Sequence, residues 1–277
     1  MAGGQCSKAG EITVSITASD YPVQVADLSV SFNGTQVLQE ISFELEKGSL
    51  IGVIGPNGAG KSSVLKHLSG YLPDSKGRVR LFGEPVSELP AHQRATLLSY
   101  LPQINRVEFP YKVSELVSLG LMNHHTLTKD DKKRRIKGAL TRLNIQHLED
   151  RRVNELSGGE QQLVHLARIL LQDTPVILLD EPCASLDIGH EGQLMNILYS
   201  LAQEGKTVLV ALHNLNTAAE FCDRLLLLNK GQLVADGMPS SILTQQQIQQ
   251  IYPYEVKVST NVSTGNPNIL AVKRESY

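Results

Sequence analysis

Lys61 and Ser62 close the octapeptide GPNGAGKS, Gly55 to Ser62, which follows the spacing G-x-x-x-x-G-K-[ST]. A polyphosphate is bound best by many backbone N–H groups converging on it, so such a loop must wind tightly. Gly55, Gly58 and Gly60 can take backbone angles that a side chain forbids. Lys61 is then expected to reach the outer phosphates and Ser62 to offer a hydroxyl to Mg²⁺. A helix beginning at about Lys61 would turn its positive end toward the same charge. A second group, Asp180-Glu181, follows the apolar run Val176-Ile177-Leu178-Leu179. Four apolar residues ending in two acids describe a buried parallel strand whose carboxyl end presents carboxylates at a ligand-binding sheet edge. Beside a phosphate loop the pair reads as a magnesium and water site: Asp180 to hold the metal, Glu181 to orient or deprotonate the attacking water.

Other candidates are weaker by themselves. Ser157-Gly158-Gly159 precedes a helical pattern, and its N–H groups would suit a phosphate; a Ser cap with flexible glycines is the plainer reading. His213 stands directly after the apolar run Thr207 to Leu212, at the same sheet edge as Asp180, where it could bond a γ-phosphate or be structural. Gln103 also follows a strand end, and one glutamine is little to argue from. Phe32 ends a strand, where it could stack on a nucleobase or simply pack.

The elements that must position these groups follow from periodicity. Leu50 to Ile54 reads as a strand into the loop, and Ser63 to Leu68 as a helix out of it that stops at Gly70. Before them, Val25 to Phe32 and Val37 to Leu45 form a hairpin about Asn33-Gly34. After them come strands at Arg78 to Gly83 and Leu97 to Leu101. From about Ile104 to Asn154 the texture is helical and charged, with helices at Val113 to Leu121 and at Thr128 to Leu143, the latter opened by a capping box from Thr128 to Asp131. Lys129 to Arg135 reads as a solvated helix face, and His124-His125 as a surface loop. Gln162 to Leu171 follows as a helix burying Leu163, Leu166, Ala167, Leu170 and Leu171. Leu225 to Ala235 reads as a closing hairpin, Ile242 to Ile251 as a glutamine-rich helix, and Val256 to Val272 as small strands. Residues 1–20 are small and polar and are expected to be disordered, although Ile12 to Ile16 alternates like a strand.

Composition bounds the partners. The 277 residues carry 26 Lys and Arg against 28 Asp and Glu, so the formal charge of -2 supplies no global attraction to nucleic acid, and none is expected. The absence of Trp and an aromatic content of 5% argue the same way against a base-stacking platform. Cys6, Cys183 and Cys222 are odd in number and scattered, which fits a reducing compartment better than disulfides or a metal cage. No apolar run reaches the ~18 residues of a membrane span, and the first twenty residues hold no apolar signal core. A soluble, cytoplasmic chain is the expectation.

Assembled, these residues resemble the ATPase subunits of ABC transporters over roughly Val23 to Ile251. GPNGAGKS is similar to the family's Walker A, Leu156 to Gln161 (LSGGEQ) to its signature motif, Val176 to Pro182 to its Walker B, and Ala184 to Asp187 to its D-loop. Gln103 falls at the Q-loop, His213 at the H-loop, and Phe32 where an aromatic packs on adenine. The resemblance implies an α/β P-loop NTPase (RecA-like) core with an antiparallel β subdomain and an all-helical ABC subdomain. On this reading residues 21–251 are the ATPase domain, with the helical part inserted at about 104–155, and 252–277 are a small C-terminal extension.

It further implies ATP and Mg²⁺ as cofactors. ATP would be held by Phe32, Gly55, Pro56, Asn57, Gly58, Ala59, Gly60, Lys61, Ser62 and Ser63, and Mg²⁺ by Ser62, Gln103 and Asp180; Glu181, His213 and Gln103 are the implied catalytic groups. Ser157, Gly158, Gly159 and Asp187 would contact the ATP of a second copy in a head-to-tail dimer. Two transmembrane permease subunits, and through them a periplasmic or surface substrate-binding protein, are the implied partners at the cytoplasmic side of the membrane. Phe109 to Val113, His213 to Gly237 and the tail at Ile242 to Tyr252 are similar to the importers of ferric siderophores, haem and vitamin B12. Alternatives are a soluble non-transport ABC ATPase, an ABC ATPase for another cargo class, or a regulator that binds ATP without cleaving it. Departures from the family pattern are Glu160 for Gln, Gln161 and Leu163 where Arg is usual, Asn214 for Asp, and Phe32 for Tyr.

Overall fold

The computed structural model describes residues 20–73, 78–103, 110–124 and 126–272. The expectations for residues 1–19, the part of the Phe109 to Val113 segment before Pro110, and His125 lie outside the described residues.

A six-stranded sheet carries the chain. Its centre is β3 (Leu50–Ile54), flanked by β8 (Thr207–Ala211) and β9 (Arg224–Asn229). Outward from β8 lie β7 (Val176–Asp180) and β6 (Leu98–Leu101), and outward from β9 lies β10 (Gln232–Gly237). All neighbours run parallel except the β9–β10 hairpin. Every residue of β3, β7 and β8 is buried, which explains their unbroken apolar runs: both faces of a parallel sheet are covered.

Strand alternation sorts those residues between two cores. Ile51, Val53, Val176, Leu178, Leu209, Leu226 and Leu228 pack on one face with α1 (Lys61–Leu68) and an antiparallel sheet. That second sheet has the order β2-β1-β4-β5, from β1 (Val23–Phe32), β2 (Thr35–Leu45), β4 (Val79–Leu81) and β5 (Glu84–Pro85). Leu50, Ile54, Ile177, Leu179, Val208, Val210, Leu225 and Leu227 face the other way, toward α5 (Gly158–Gln172), α6 (Ile188–Gln203) and α7 (Leu215–Phe221). Each buried Leu, Ile or Val contributes on the order of 1.5–3 kcal/mol.

The helical segment holds α3 (Val113–Ser118), which tightens to a 3₁₀ turn through Leu121, and α4 (Lys129–Arg142), both packed on α5. Thr128 caps α4 by accepting from the Asp131 amide, and its hydroxyl donates to the Asp131 carboxylate. The reciprocal bond of a full capping box goes instead to a side chain.

Several boundaries differ from the periodic reading. The helix expected from Gln162 opens at Gly158, because Ser157 and Glu160 form a capping box that takes both glycines into the first turn; Leu170 is only half-buried, while Val164, His165 and Ile169 are fully inside. The stretch before β6 is a short helix, α2 (Ala91–Leu97), not strand from Leu97. The single helix expected over Ile242 to Ile251 is broken. Pro239 starts α8 (Pro239–Ile242), and Thr244 caps a separate α9 (Gln245–Ile251) by accepting from the Gln247 amide. A final hairpin, β11 (Val256–Thr260) with β12 (Pro267–Ala271), lies on α7. There the Asn216 amide group donates to the Ile269 carbonyl at 3.1 Å and accepts from its N–H at 2.7 Å.

Candidate active site

The loop after β3 folds as its glycines require. Gly55 (φ 148°), Gly58 (φ 77°) and Gly60 (φ 106°) all lie at positive φ. A Cβ on Gly55 would stand 2.1 Å from the Leu228 carbonyl oxygen, and one on Gly60 would stand 2.7 Å from the Leu38 side chain. Gly60 caps α1, so the first-turn amides of that helix open into the cleft above it. The cleft measures about 440 Å³ and is lined by the loop from Asn57 to Ser63, by Val37, and by Gln103, Glu181 and His213.

Within it the charged groups are committed to one another. Lys61, only 4% exposed, donates to its own loop at the carbonyls of Gly55 (2.8 Å) and Pro56 (3.3 Å). Burial lowers its ammonium pKa, against the opposing pull of Glu181 and Asp180. Ser62 donates to Asp180 Oδ1 at 3.0 Å. Burial raises the Asp180 carboxyl above its ordinary range, and the Ser62 bond works in the opposite direction.

Glu181 ends up between two side-chain partners. Gln103 Nε2 donates to its Oε2, and His213 Nε2 lies 2.5 Å from its Oε1. The glutamate backbone is left-handed (φ 53°), a conformation that costs a non-glycine residue on the order of 1 kcal/mol and turns its side chain back toward the cleft. Gln103, Glu181 and His213 come from the ends of β6, β7 and β8, so three residues that were weak in isolation meet at one sheet edge.

The oxygen donors fit Mg²⁺. Ser62 supplies a hydroxyl, Asp180 a carboxylate and Gln103 an amide oxygen, the hard ligand set that Mg²⁺ takes together with substrate phosphates. Among the described residues no group of three or more His, Cys, Asp and Glu side chains could hold a metal.

Ser157, Gly158, Gly159 and Asp187 lie elsewhere. They line a second hollow of about 420 Å³ with Ser185, Leu186 and His190, and it shares no lining residue with the first. The Ser157 hydroxyl and amide both donate to Glu160 Oε2 at 2.8 Å, which holds that carboxyl below its ordinary range; the amides of Gly158 and Gly159 stay free of intrahelical partners. Asp187 accepts from the His190 amide at 2.9 Å and pairs with its ring, and the amide bond first, then the ring, lowers its pKa. His190 was not singled out in sequence. Its only signal is the i,i+3 spacing from a helix-capping Asp.

Phe32 is not brought to the cleft wall. It ends β1 at 71% exposed, and Val37 of β2 lines the cleft instead. The Asn33-Gly34 turn lets the strand return so that a β2 residue faces the phosphate loop.

Fold and cleft define an α/β P-loop nucleotide hydrolase. The ABC transporter family model matches residues 38–184. The chain is 38% identical over 261 residues to the hemin import ATP-binding protein HmuV of Deinococcus radiodurans, spanning 92% of this chain and 99% of that protein. To the hemin import ATP-binding protein HmuV of Pseudomonas putida it is 39% identical over 253 residues, spanning 90% and 99%. A solved metal-chelate type ABC transporter in an inward-facing conformation superposes with a TM-score of 0.77 at 26% identity, covering 92% of this chain and 98% of that one. The chain belongs to the ABC transporter ATP-binding family and is an ABC-type ATPase. No helix among the described residues is long and apolar enough to cross a membrane.

Proposed function

We propose that this chain is the ATP-hydrolysing subunit that energises import of a metal chelate, working as a head-to-tail homodimer beneath two permease subunits on the cytoplasmic face of the membrane. The similarity to hemin import proteins and to a metal-chelate transporter supports this cargo class and puts haem first among haem, ferric siderophores and cobalamin. A periplasmic or surface binding protein would deliver it. The division into an ATPase domain at 21–251, its helical part at about 104–155, and a C-terminal extension at 252–277 belongs to the same proposal.

The observation that carries the hydrolytic reading is Glu181, held by Gln103 and His213 at the rim of the phosphate loop. Phosphate oxygens replace the Gly55 and Pro56 carbonyls as acceptors for Lys61. Glu181 accepts the proton of the attacking water while His213 and Gln103 fix its carboxylate. Mg²⁺, when bound by Ser62, Asp180 and Gln103, neutralises charge on the phosphates. The second hollow supports dimerisation: Ser157 to Gly159 and Asp187, which line a hollow separate from the phosphate-loop cleft, would complete the site of a partner copy.

Glu181→Gln is expected to lower turnover by ~100-fold or more while ATP still binds, and to shift the protein to an ATP-bound dimer in size-exclusion chromatography. Wild-type turnover in this variant would remove Glu181 from the mechanism. Uptake assays with haem, cobalamin and ferric siderophores, on the chain co-expressed with its permease, decide the cargo; transport of none of the three would sink the import reading.

A further inference from the structure

Tyr100 is buried at its hydroxyl, which has no hydrogen-bond partner among the described residues. A phenol in that position is destabilising unless the working state supplies a partner. Its surroundings name one. In the parallel β6–β7 pair Tyr100 is in register with Leu178, and Asp180 lies two residues further along β7, on the same face of the sheet. Tyr100 and Asp180 also line one cavity of about 260 Å³, together with Lys66, Tyr71, Pro102 and Gln103. Ser62 donates to Asp180 Oδ1 at 3.0 Å.

We propose that Tyr100 is a positioning residue for the magnesium site, donating its phenolic proton to Asp180 Oδ2 and so fixing the plane of the carboxylate that faces the metal. The inference rests on the reading of Asp180 as a magnesium-holding residue. With Ser62 on Oδ1 and Tyr100 on Oδ2, both carboxylate oxygens would be held. Lys66 lines the same cavity. Were the Ser62 hydroxyl taken up as a Mg²⁺ ligand, the tyrosine would remain as the bond that holds the carboxylate.

The test separates metal binding from nucleotide binding. Affinity for a fluorescent ATP analogue is measured in EDTA and across a Mg²⁺ titration for the wild type, Tyr100→Phe and Asp180→Asn, and Mn²⁺ binding to each nucleotide complex is followed by electron paramagnetic resonance. Tyr100→Phe should keep the metal-free affinity within about two-fold and raise the Mg²⁺ and Mn²⁺ midpoints by about five- to ten-fold. Asp180→Asn should raise them further. Unchanged midpoints in Tyr100→Phe beside a clear shift in Asp180→Asn would overturn the role of Tyr100 alone. Unchanged midpoints in both variants would overturn the magnesium reading of Asp180 as well. An equal loss of affinity with and without metal in Tyr100→Phe would reduce the residue to packing.

Discussion

The two hollows of this chain are built on opposite principles. Around the phosphate loop the ionisable groups are interior: Lys61, Asp180 and Glu181 are each less than a tenth exposed, and each is tied to another part of the same cleft. Around Ser157 and Asp187 the groups are solvated, with the Asp187 side chain 68% and that of His190 51% exposed, and their bonds are local helix caps. Burial dominates the pKa of Lys61 and Asp180, whereas hydrogen bonding dominates that of Glu160 and Asp187. One hollow thus holds a complete set of acid, base and cation within a single chain. The other is a surface of helix-terminal N–H groups, which acts only on a ligand brought to it.

The largest expected effect comes from breaking the interior set. Lys61→Ala should weaken ATP binding by about 100-fold or more, because a desolvated ammonium bonding to phosphate is lost; equilibrium titration with a fluorescent ATP analogue measures it, and wild-type affinity would contradict the geometry. Damage to the outer surface should be selective. Ser157→Arg is expected to abolish hydrolysis while each monomer retains wild-type nucleotide affinity, as the phosphate loop lies in another cleft. Hydrolysis at the normal rate in that variant would mean that the Ser157 surface has no part in turnover.

A smaller effect sharpens the contrast through pH. Burial raises the Asp180 carboxyl above its ordinary value of 3.8, so the folded chain binds that proton more tightly than the unfolded chain. Stability is therefore lost as pH rises from 3.8 through the raised value, and the ionised carboxylate is a burden above it. Asp180→Asn keeps an acceptor for Ser62 and removes the charge. The ligand-free variant should melt about 3 °C higher than the wild type at pH 8, and the difference should shrink as the pH is lowered toward 3.8. A variant that melts lower at pH 8 would show that Lys61 and Lys66 outweigh burial.

Which of these features could be read from the sequence follows from how local each one is. The phosphate loop, the β7 strand and the Asn33-Gly34 hairpin are stated within a dozen residues apiece by glycine spacing and apolar runs, and they fold where that reading puts them. The α/β class followed from the resemblance that these motifs carry. Chain breaks inside helical patterns were harder to see: the Pro239 and Thr244 starts divide what periodicity joins, and the Ser157–Glu160 box draws Gly158 and Gly159 into a helix that composition alone places later. Val37 and Tyr100 could not be found locally at all. Val37 lines the cleft through the return of the hairpin, and Tyr100 comes into register with the strand that ends in Asp180, a segment some eighty residues away.

The left-handed backbone of Glu181 sets stability against function at one position. Glycine there would relax the strain, and an apolar side chain would remove a buried carboxylate, so selection for a more robust fold alone would discard this residue. Its presence ties the durability of the chain to its work. Library selections that score only expression or melting temperature are expected to drift away from Glu181, and those that score turnover to return to it.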